Sequence, residues 1–300
     1  MSTIDRNPRV SIGMPVFNGE PFVGEALRGI LAQTYEDFEL LVADNASTDR
    51  TSEIVRDFAA RDPRIRYVRH PQNIGAIANF NYLFPASRGE YFRWAGADDV
   101  SLPTYVQRCM DILDDDPGVV LAYSDTNFID DRGKVTLEFE DSLRADLSTP
   151  PARFRQVFFT LGRCHAIWGL MRRKAVTRNG LFGNFLSHDN VFLTGLALYG
   201  RFVRIPERLL LRRFHDAAMS NIAPPARIAH LDPKGSTPSE LMGWKRYWEH
   251  WKVAARAPLP LSDKVRLAAF VARIMIMDRD RLFRDVIKGD VLQDAGVRHQ

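Results

Sequence analysis

Several features that would assign this chain to a common class are missing from its 300 residues. It has only two cysteines, Cys109 and Cys164, and they form no C-x-x-C pair. Neither a structural zinc site nor a disulfide-built secreted domain is therefore predicted. No apolar run reaches the roughly 18 to 20 residues that span a bilayer, and the polar first residues contain no signal segment. These absences favour a reducing compartment and predict a cytoplasmic protein.

Two phosphate-binding motifs are absent as well. The chain has no G-x-G-x-x-G after its first predicted strand and no G-x-x-x-x-G-K-[ST], so neither a dinucleotide cradle nor a P-loop is predicted. The net charge is +4, and residues 241–300 hold 12 Lys and Arg against 7 Asp and Glu. Because no nucleic-acid-binding module accompanies this basic excess, no nucleic-acid partner is predicted. A basic tail with aromatic residues would suit an anionic membrane surface, a phosphate-bearing substrate or merely solvated helix faces.

What the chain does contain is a regular alternation of predicted strands and helices between residues 8 and 128. The predicted strands are apolar runs at Val10–Val16, Phe38–Ala43, Ile65–Arg69, Tyr91–Trp94 and Val119–Tyr123. Segments with helical spacing of apolar residues separate them. Such alternation is typical of an α/β fold with right-handed crossovers and a mostly parallel sheet.

The remainder of the chain is less regular. A stretch from Arg213 to Ser236 lacks periodicity and contains several prolines, so it predicts a long loop that could serve as a lid. A capping box at Thr237–Glu240 then predicts a helix start. Trp244, Trp248 and Trp251 share one side of that helix. Such a row could belong to a core, a dimer contact or a lipid-facing surface.

Polar residues follow three of the predicted strands. These segments are Pro15-Val16-Phe17-Asn18, Asp44-Asn45-Ala46-Ser47 and Ala97-Asp98-Asp99. Because the carboxyl ends of parallel strands meet at one rim, where open α/β sheets bind ligands, we expect these side chains to lie close together. Hard cations prefer carboxylate oxygen and would offset the charge of a diphosphate. The pattern predicts a nucleotide and metal site, although solvated turns, Asx-turns and helix caps use the same residues.

Together these motifs resemble the inverting glycosyltransferases of family 2, which have the GT-A fold. The similarity extends over roughly two thirds of the chain and includes Pro15–Glu20, Gln33-Thr34 with Phe38-Glu39, Asp44–Asp49, Asn73-Ile74-Gly75 with Asn81, Ala97-Asp98-Asp99, Trp168-Gly169, Asp189 and Arg213-Phe214-His215. It implies a Rossmann-like, mostly parallel central sheet flanked by helices. Residues 1–128 would form the nucleotide-sugar-binding half, residues 129–235 the acceptor-side half with its lid loop, and residues 236–300 a C-terminal helical extension.

The resemblance also implies roles for individual residues. Asp189 would be the catalytic base, and Asp99 with His215 would hold a divalent cation, Mn²⁺ or Mg²⁺. Where the family has a Glu-Asp pair, this chain has His188 before Asp189, so His188 could share the role of base. Phe17 and Ala97 are two further departures from the family pattern. The nucleobase, ribose and donor phosphates would contact Pro15, Val16, Phe17, Glu20, Asp44, Asn45, Asn73 and Asp98.

The function implied is metal-dependent transfer of a sugar, with inversion, from a nucleoside-diphosphate donor to a hydroxyl acceptor. The cation would stabilise the leaving diphosphate, and Asp189 would accept the proton of the attacking hydroxyl. A UDP- or dTDP-sugar is the favoured donor, and a glycan or lipid-linked acceptor would fit cell-surface polysaccharide or glycolipid synthesis. The C-terminal helices would contact the inner face of the cell membrane peripherally or form a homodimer.

Two other classes remain open. A sugar nucleotidyltransferase has a similar sheet, but it would need a Gly- and Arg-rich phosphate loop after the first strand, and Pro15-Val16-Phe17-Asn18 offers none. A non-catalytic nucleotide-sugar-binding or membrane adaptor protein could keep the same pocket. The complete set of Asp98, Asp99 and Asp189 argues against that alternative.

Overall fold

The computed structural model describes residues 7–185, 187–215, 242–280 and 282. Its first half alternates strands and helices as β1 (Val10–Val16), α1 (Val23–Leu31), β2 (Phe38–Asp44), α2 (Thr51–Arg61), β3 (Ile65–Arg69), α3 (Ala76–Ala86) and β4 (Tyr91–Trp94). The strands predicted in this half are confirmed. Every residue of β1, β2 and β4 is buried, which explains why these strands are apolar runs rather than alternating patterns.

The second half contains more strands than the sequence pattern indicated. The elements are β5 (Val100–Ser101), α4 (Tyr105–Asp115), β6 (Val119–Ile129), β7 (Val135–Phe139), α5 (Pro150–Thr160), β8 (Leu170–Arg172), α6 (Arg173–Asn179), α7 (His188–Leu196) and β9 (Arg201–Arg213). A 3₁₀ turn at His165–Trp168 precedes β8. The predicted domain boundary after residue 128 lies within β6, which continues to Ile129.

Nine strands of the described chain form one sheet, in the order β3-β2-β1-β4-β8-β6-β9-β5, with β7 paired to β6. The strands β3, β2, β1 and β4 are parallel. Next to them, β8 runs antiparallel to both β4 and β6. The long strands β6 and β9 are parallel to each other, and β5 pairs antiparallel with β9. The predicted α/β class is confirmed, and its parallel part is the half that contains the polar strand ends.

Both faces of the sheet are covered by buried apolar residues. Along β2, Leu40 and Val42 belong to one core cluster, whereas Leu41 and Ala43 belong to the other. This alternation follows from the two-residue period of a strand. With both faces packed, the rim at the carboxyl ends of the strands is left to bind a ligand.

The last described part of the chain is a helical pair, α8 (Met242–Arg256) and α9 (Leu261–Met277). Tyr247, Leu267 and Val271 pack with Phe154 of α5 in a third core cluster. Of the predicted tryptophan row, Trp244 and Trp251 pack against this cluster, whereas Trp248 is 58% exposed. The predicted capping box and most of the predicted lid loop lie outside the described residues. No helix in the described ranges has the length and apolar character needed to cross a bilayer.

Candidate active site

The three polar segments lie at one edge of the sheet. Val16 at the end of β1 is in register with Asp44 at the end of β2, and its carbonyl oxygen accepts a hydrogen bond from the Asn45 N–H at 2.8 Å. Gly13 of β1 is in register with Trp94 of β4. The turn that carries the aspartate pair therefore begins at the same edge, a few residues after β4.

Asp44 stabilises the turn that follows β2. Its side chain is fully buried. One carboxylate oxygen accepts a hydrogen bond from the backbone N–H of Ser47 at 2.8 Å, and the other accepts one from the Tyr67 hydroxyl at 2.7 Å. Arg69 adds an ion-pair contact at 3.4 Å. These partners hold the turn after β2 against β3.

Asn45 and Asn73 connect the loops after β2 and β3. The Asn45 side-chain N–H donates to the Asn73 side-chain oxygen at 2.9 Å. The Asn45 side-chain oxygen accepts a hydrogen bond from the backbone N–H of Ile74 at 2.8 Å. These two hydrogen bonds hold together the loops that follow β2 and β3.

The loop after β1 is also held by a hydrogen bond to a neighbouring segment. Pro15 and Val16 are buried strand residues, while Phe17 is 38% exposed at the rim. Glu20 accepts a hydrogen bond from the backbone N–H of Arg50 at 3.0 Å, just before α2 begins. The β1 loop is thus attached to the start of α2.

Asp98 and Asp99 converge with His215 on the same side of the rim. A Cβ added at Gly96 would lie 2.7 Å from Asp99 Oδ2 and 2.9 Å from Asp98 Oδ1, so both carboxylates point over this glycine. Asp99 Oδ1 accepts a hydrogen bond from the Arg213 backbone N–H at 2.9 Å. Asp98 Oδ2 lies 3.2 Å from His215 Nε2. The structure thereby brings together the predicted metal residues and the predicted donor-phosphate residue.

Asp98 and Asp99, called the acidic pair below, influence each other's environment electrostatically. Burial, and then the charge of Asp98, raise the pKa of the Asp99 carboxyl to about 7. The hydrogen bond with Asp98 raises the pKa of His215 above its ordinary value. Two carboxylates held this close favour a bound cation, because the cation relieves their mutual repulsion.

The donor set fits a divalent cation that is completed by a substrate. Within the described ranges, no group of three His, Cys, Asp or Glu residues forms a ready-made metal site. Mg²⁺-like ions are, however, commonly bound by one or two carboxylates together with substrate phosphates rather than by an all-protein cage. The two oxygens that converge over Gly96 are donors of this kind.

Arg213 has a role that the sequence pattern did not reveal. Its buried guanidinium forms an ion pair with Glu25 of α1 at 2.6 Å and donates to the carbonyl oxygens of Asp130 and Asp98 at 2.7 and 3.1 Å. It also lies over the Phe22 ring at 4.7 Å. Arg213 thereby joins β9, α1 and the aspartate turn. The Arg-Phe-His motif was a signal, but Glu25 lies 188 positions away and nothing in the sequence connected it.

Asp189 is the second residue of α7. Ser187, which immediately precedes α7, has a φ of 65° in the left-handed region. Beside Asp189, the Cys164 thiol donates to the Asn190 side-chain oxygen at 2.8 Å. Burial, and then the negative charge of Asp189, raise the pKa of the Cys164 thiol well above its ordinary value. The predicted base therefore has a neutral thiol as its neighbour. The sequence did not predict this contact, because the two residues are 25 positions apart.

His188 faces a different part of the molecule. Its Nδ1 lies 3.0 Å from the Phe185 carbonyl oxygen, its ring contacts Phe182, and burial lowers its pKa. It lines a cavity of about 290 Å³ between α7 and α8, whose lining includes Lys245 but not Asp189. A role for His188 as a shared base stays a prediction.

Comparisons with known proteins agree with this architecture. The sequence profile described as "Glycosyl transferase family 2" matches residues 11–179, which is more than half of the chain. An uncharacterized glycosyltransferase of Methanocaldococcus jannaschii is 30% identical over 135 residues, covering 44% of this chain and 47% of the relative. The matched region thus spans about half the length of that relative.

Solved structures resemble the chain over most of its length. Residues 1–349 of S. aureus TarS in complex with UDP-GlcNAc give a TM-score of 0.63 at 16% identity, covering 90% of this chain and 73% of the TarS 1–349 chain. Mannosyltransferase PcManGT from Pyrobaculum calidifontis, in complex with GDP-Man and Mn²⁺, gives 0.54 at 18% identity, covering 95% and 88%. At these identities the likeness shows the fold alone, and it confirms the predicted GT-A architecture.

Proposed function

The chain belongs to glycosyl transferase family 2, and from this premise we propose that it transfers a sugar from a nucleoside-diphosphate donor to an acceptor hydroxyl group. One observation carries the proposal. Asp98 and Asp99 converge over Gly96 at the carboxyl rim of the parallel strands, while a separate carboxylate, Asp189, lies in the first turn of α7. Such an arrangement provides one acidic site for a cation and diphosphate and a different group for proton transfer.

The nucleoside would bind along the ends of β1 and β2. Pro15, Val16 and Phe17 would border the base, with Glu20 stabilising their loop through Arg50. Asp44, Asn45 and Asn73 would hold the wall that faces the base and ribose, and Asp98 would approach the ribose and phosphates. A UDP- or dTDP-sugar is our proposed donor. Support for a nucleotide-sugar comes from the UDP-GlcNAc bound to TarS and the GDP-Man bound to PcManGT.

Asp99, together with His215, would hold a divalent cation, Mn²⁺ or Mg²⁺. When bound, the cation would offset the negative charge of the leaving nucleoside diphosphate. The Mn²⁺ in PcManGT supports this proposal. Arg213 would keep the aspartate turn in place, because its backbone N–H bonds Asp99 and its guanidinium bonds the Asp98 carbonyl oxygen.

Asp189 would act as the general base. It lies in the first turn of α7. The high thiol pKa of Cys164 keeps that neighbour neutral, so the thiol does not add a second negative charge beside the base. Transfer would be a single displacement with inversion, because a retaining mechanism needs a nucleophilic carboxylate at the anomeric carbon.

We further propose a cytoplasmic enzyme that acts on a glycan or lipid-linked acceptor in cell-surface polysaccharide or glycolipid synthesis, at the inner face of the membrane. The C-terminal helices leave Trp248, Leu261, Val265, Ile276 and Met277 more than half exposed. Such a surface would serve peripheral membrane contact or a homodimer. A triple variant, Trp248→Ser with Leu261→Ser and Val265→Ser, should lose sedimentation with anionic vesicles in the first case and lose the dimer in size-exclusion chromatography in the second.

The proposed reaction is tested by supplying a panel of nucleotide-sugars with Mn²⁺ and an acceptor extract. We expect release of a nucleoside diphosphate that EDTA suppresses. Asp189→Asn should slow the release by about 10²- to 10⁴-fold, whereas replacing Asp131, an exposed carboxylate in the turn after β6, by asparagine should leave it intact. Release of pyrophosphate from a nucleoside triphosphate would instead support a nucleotidyltransferase.

A further inference from the structure

Arg212 lies beside the acidic pair, on the opposite face of β9 from Arg213. Successive side chains of a strand point to opposite faces, and the side chain of Arg213 reaches Glu25 on the α1 side. Arg212 is in register with Phe128 of β6, and the His165 ring packs against Phe128 with a centroid distance of 5.4 Å. Arg212 therefore projects toward the turn that carries Cys164 and His165.

Backbone contacts place Arg212 at the turn that carries Asp98 and Asp99. The next residue, Arg213, donates its backbone N–H to Asp99 Oδ1 at 2.9 Å, and the preceding residue, Leu211, is in register with Val100, which follows Asp99. On the other side, the charge of Arg212 contributes to the lowered pKa of His165 and lowers that of the Cys164 thiol, against the larger effect of burial. Cys164 is in turn next to Asp189. Arg212 thus stands between the proposed cation site and the proposed base.

The guanidinium of Arg212 differs from the other arginines of β9 in its partners. Arg201, Arg204, Arg208 and Arg213 each form an ion pair with an aspartate or glutamate. Arg212 is partly buried, yet its guanidinium forms neither an ion pair nor a hydrogen bond with any residue in the described part of the chain. A guanidinium carries five N–H donors in a planar fork that matches phosphate oxygens.

We propose that Arg212 binds the diphosphate of the donor nucleotide, opposite the acidic pair, as a catalytic residue. This inference rests on the proposed function. In the reaction the acceptor oxygen forms a bond with the anomeric carbon while the bond from that carbon to the phosphate oxygen breaks. The electron pair stays on the diphosphate, and the acceptor proton passes to Asp189. Arg212 stabilises the charge that develops on the leaving oxygen.

A lipid-linked acceptor would present the same diphosphate chemistry. The donor is assigned because Arg212 directly precedes Arg213, whose backbone N–H bonds Asp99 Oδ1 at 2.9 Å, and the turn that carries Asp99 would approach the donor phosphates. These two sources of a diphosphate, the donor nucleotide and the acceptor, are distinguished by comparing the binding of free nucleotides with the KM for an acceptor that carries phosphate.

The experiment compares Arg212→Gln and Arg212→Lys with the full-length wild-type chain. Arg208→Gln is the matched control, because Arg208 lies on the same strand and pairs with Glu138. The dissociation constants of UDP, dTDP and GDP and of their monophosphates are measured calorimetrically, with EDTA and with Mn²⁺. Thermal melts verify that each variant is folded.

We expect Arg212→Gln to weaken diphosphate binding about tenfold or more in both conditions, because a charge-assisted bond to phosphate is lost. Monophosphate binding and the control variant should change less than about twofold on the same reasoning, and Arg212→Lys should recover part of the loss. The recovery distinguishes a charge contact from a purely structural role.

Three results would overturn the inference. Unchanged diphosphate affinity in a folded Arg212→Gln chain would remove Arg212 from the donor site while leaving the proposed function intact. Equal losses for monophosphates and diphosphates would indicate a role in shaping the pocket only. A raised KM for a phosphate-bearing acceptor, with normal nucleotide binding, would assign Arg212 to the acceptor. If the wild-type chain binds none of the three diphosphates, the proposed function itself fails.

Discussion

Replacing Asp99 by asparagine should stabilise the protein at alkaline pH. Burial and the neighbouring Asp98 raise the pKa of Asp99 from 3.8 to about 7 in the folded state. A raised pKa means that the folded state favours the protonated carboxyl, so this contribution to stability is present below pH 3.8 and is lost as the pH rises through 7. Asparagine stays neutral at every pH, and its side-chain oxygen can still accept the Arg213 N–H that Asp99 now binds.

The magnitude follows from the size of the shift. At about 1.4 kcal/mol for each unit of pKa, the ionised carboxylate costs the folded state roughly 4 kcal/mol at pH 8. The same relation gives roughly 1.5 kcal/mol at pH 5, where the folded wild type is mostly protonated and the unfolded chain mostly ionised. The advantage of Asp99→Asn over wild type should therefore grow by about 2 to 3 kcal/mol between pH 5 and pH 8.

Thermal and urea unfolding at the two pH values, with EDTA present, measure this difference. The control is Asp115→Asn, because Asp115 is an exposed carboxylate at the end of α4 and should give the same small effect at both pH values. If the difference in unfolding free energy between Asp99→Asn and wild type were the same at both pH values, the argument would be refuted. Ionisation of Asp99 would then not destabilise the folded state.

Three further predictions test the base, the cation site and the helical extension. Asp189→Asn should keep nucleoside-diphosphate affinity but lower kcat by about 10²- to 10⁴-fold, the usual contribution of a general base; weaker nucleotide binding with normal turnover would contradict it. Gly96→Ala should reduce Mn²⁺-dependent nucleotide affinity about tenfold or more, since its Cβ would lie 2.7 Å from Asp99 Oδ2, whereas Gly24→Ala, with 3.7 Å to its nearest neighbour, should not. Leu267→Ala should cost about 2 to 5 kcal/mol of unfolding free energy, and the exposed Val265→Ala less than about 0.5 kcal/mol; equal effects in urea titrations would argue against a docked extension.

The sequence pattern predicted the strands that are buried on both faces, but it missed β9, a strand whose arginines form ion pairs. Val10–Val16 and Phe38–Asp44 are apolar runs because neither face meets water. By contrast, β9 contains five arginines in Arg201–Arg213, and most of them extend to acidic partners outside the strand. Its polar composition hid a strand that forms the centre of the second half of the sheet.

In the candidate site, too, the sequence predicted some residues and missed others. The residues at strand ends could be identified because the ends of neighbouring parallel strands must meet. Their partners could not, since ion pairs such as Arg213 with Glu25 and contacts such as Cys164 with Asn190 join distant parts of the chain. Asp44 illustrates the consequence. Its position at the rim was predictable, but its internal bonds to Ser47 and Tyr67 depend on the folded loop.

The central claim is that a cation bound by the acidic pair holds a nucleoside diphosphate in this rim. Crystals grown with a nucleoside diphosphate and Mn²⁺ would locate the ion directly through its anomalous scattering. We expect a peak coordinated by an Asp99 carboxylate oxygen and by the diphosphate, with Asp189 on the far side of the sugar position. A peak elsewhere, or a nucleotide bound away from Asp98 and Asp99, would contradict the claim.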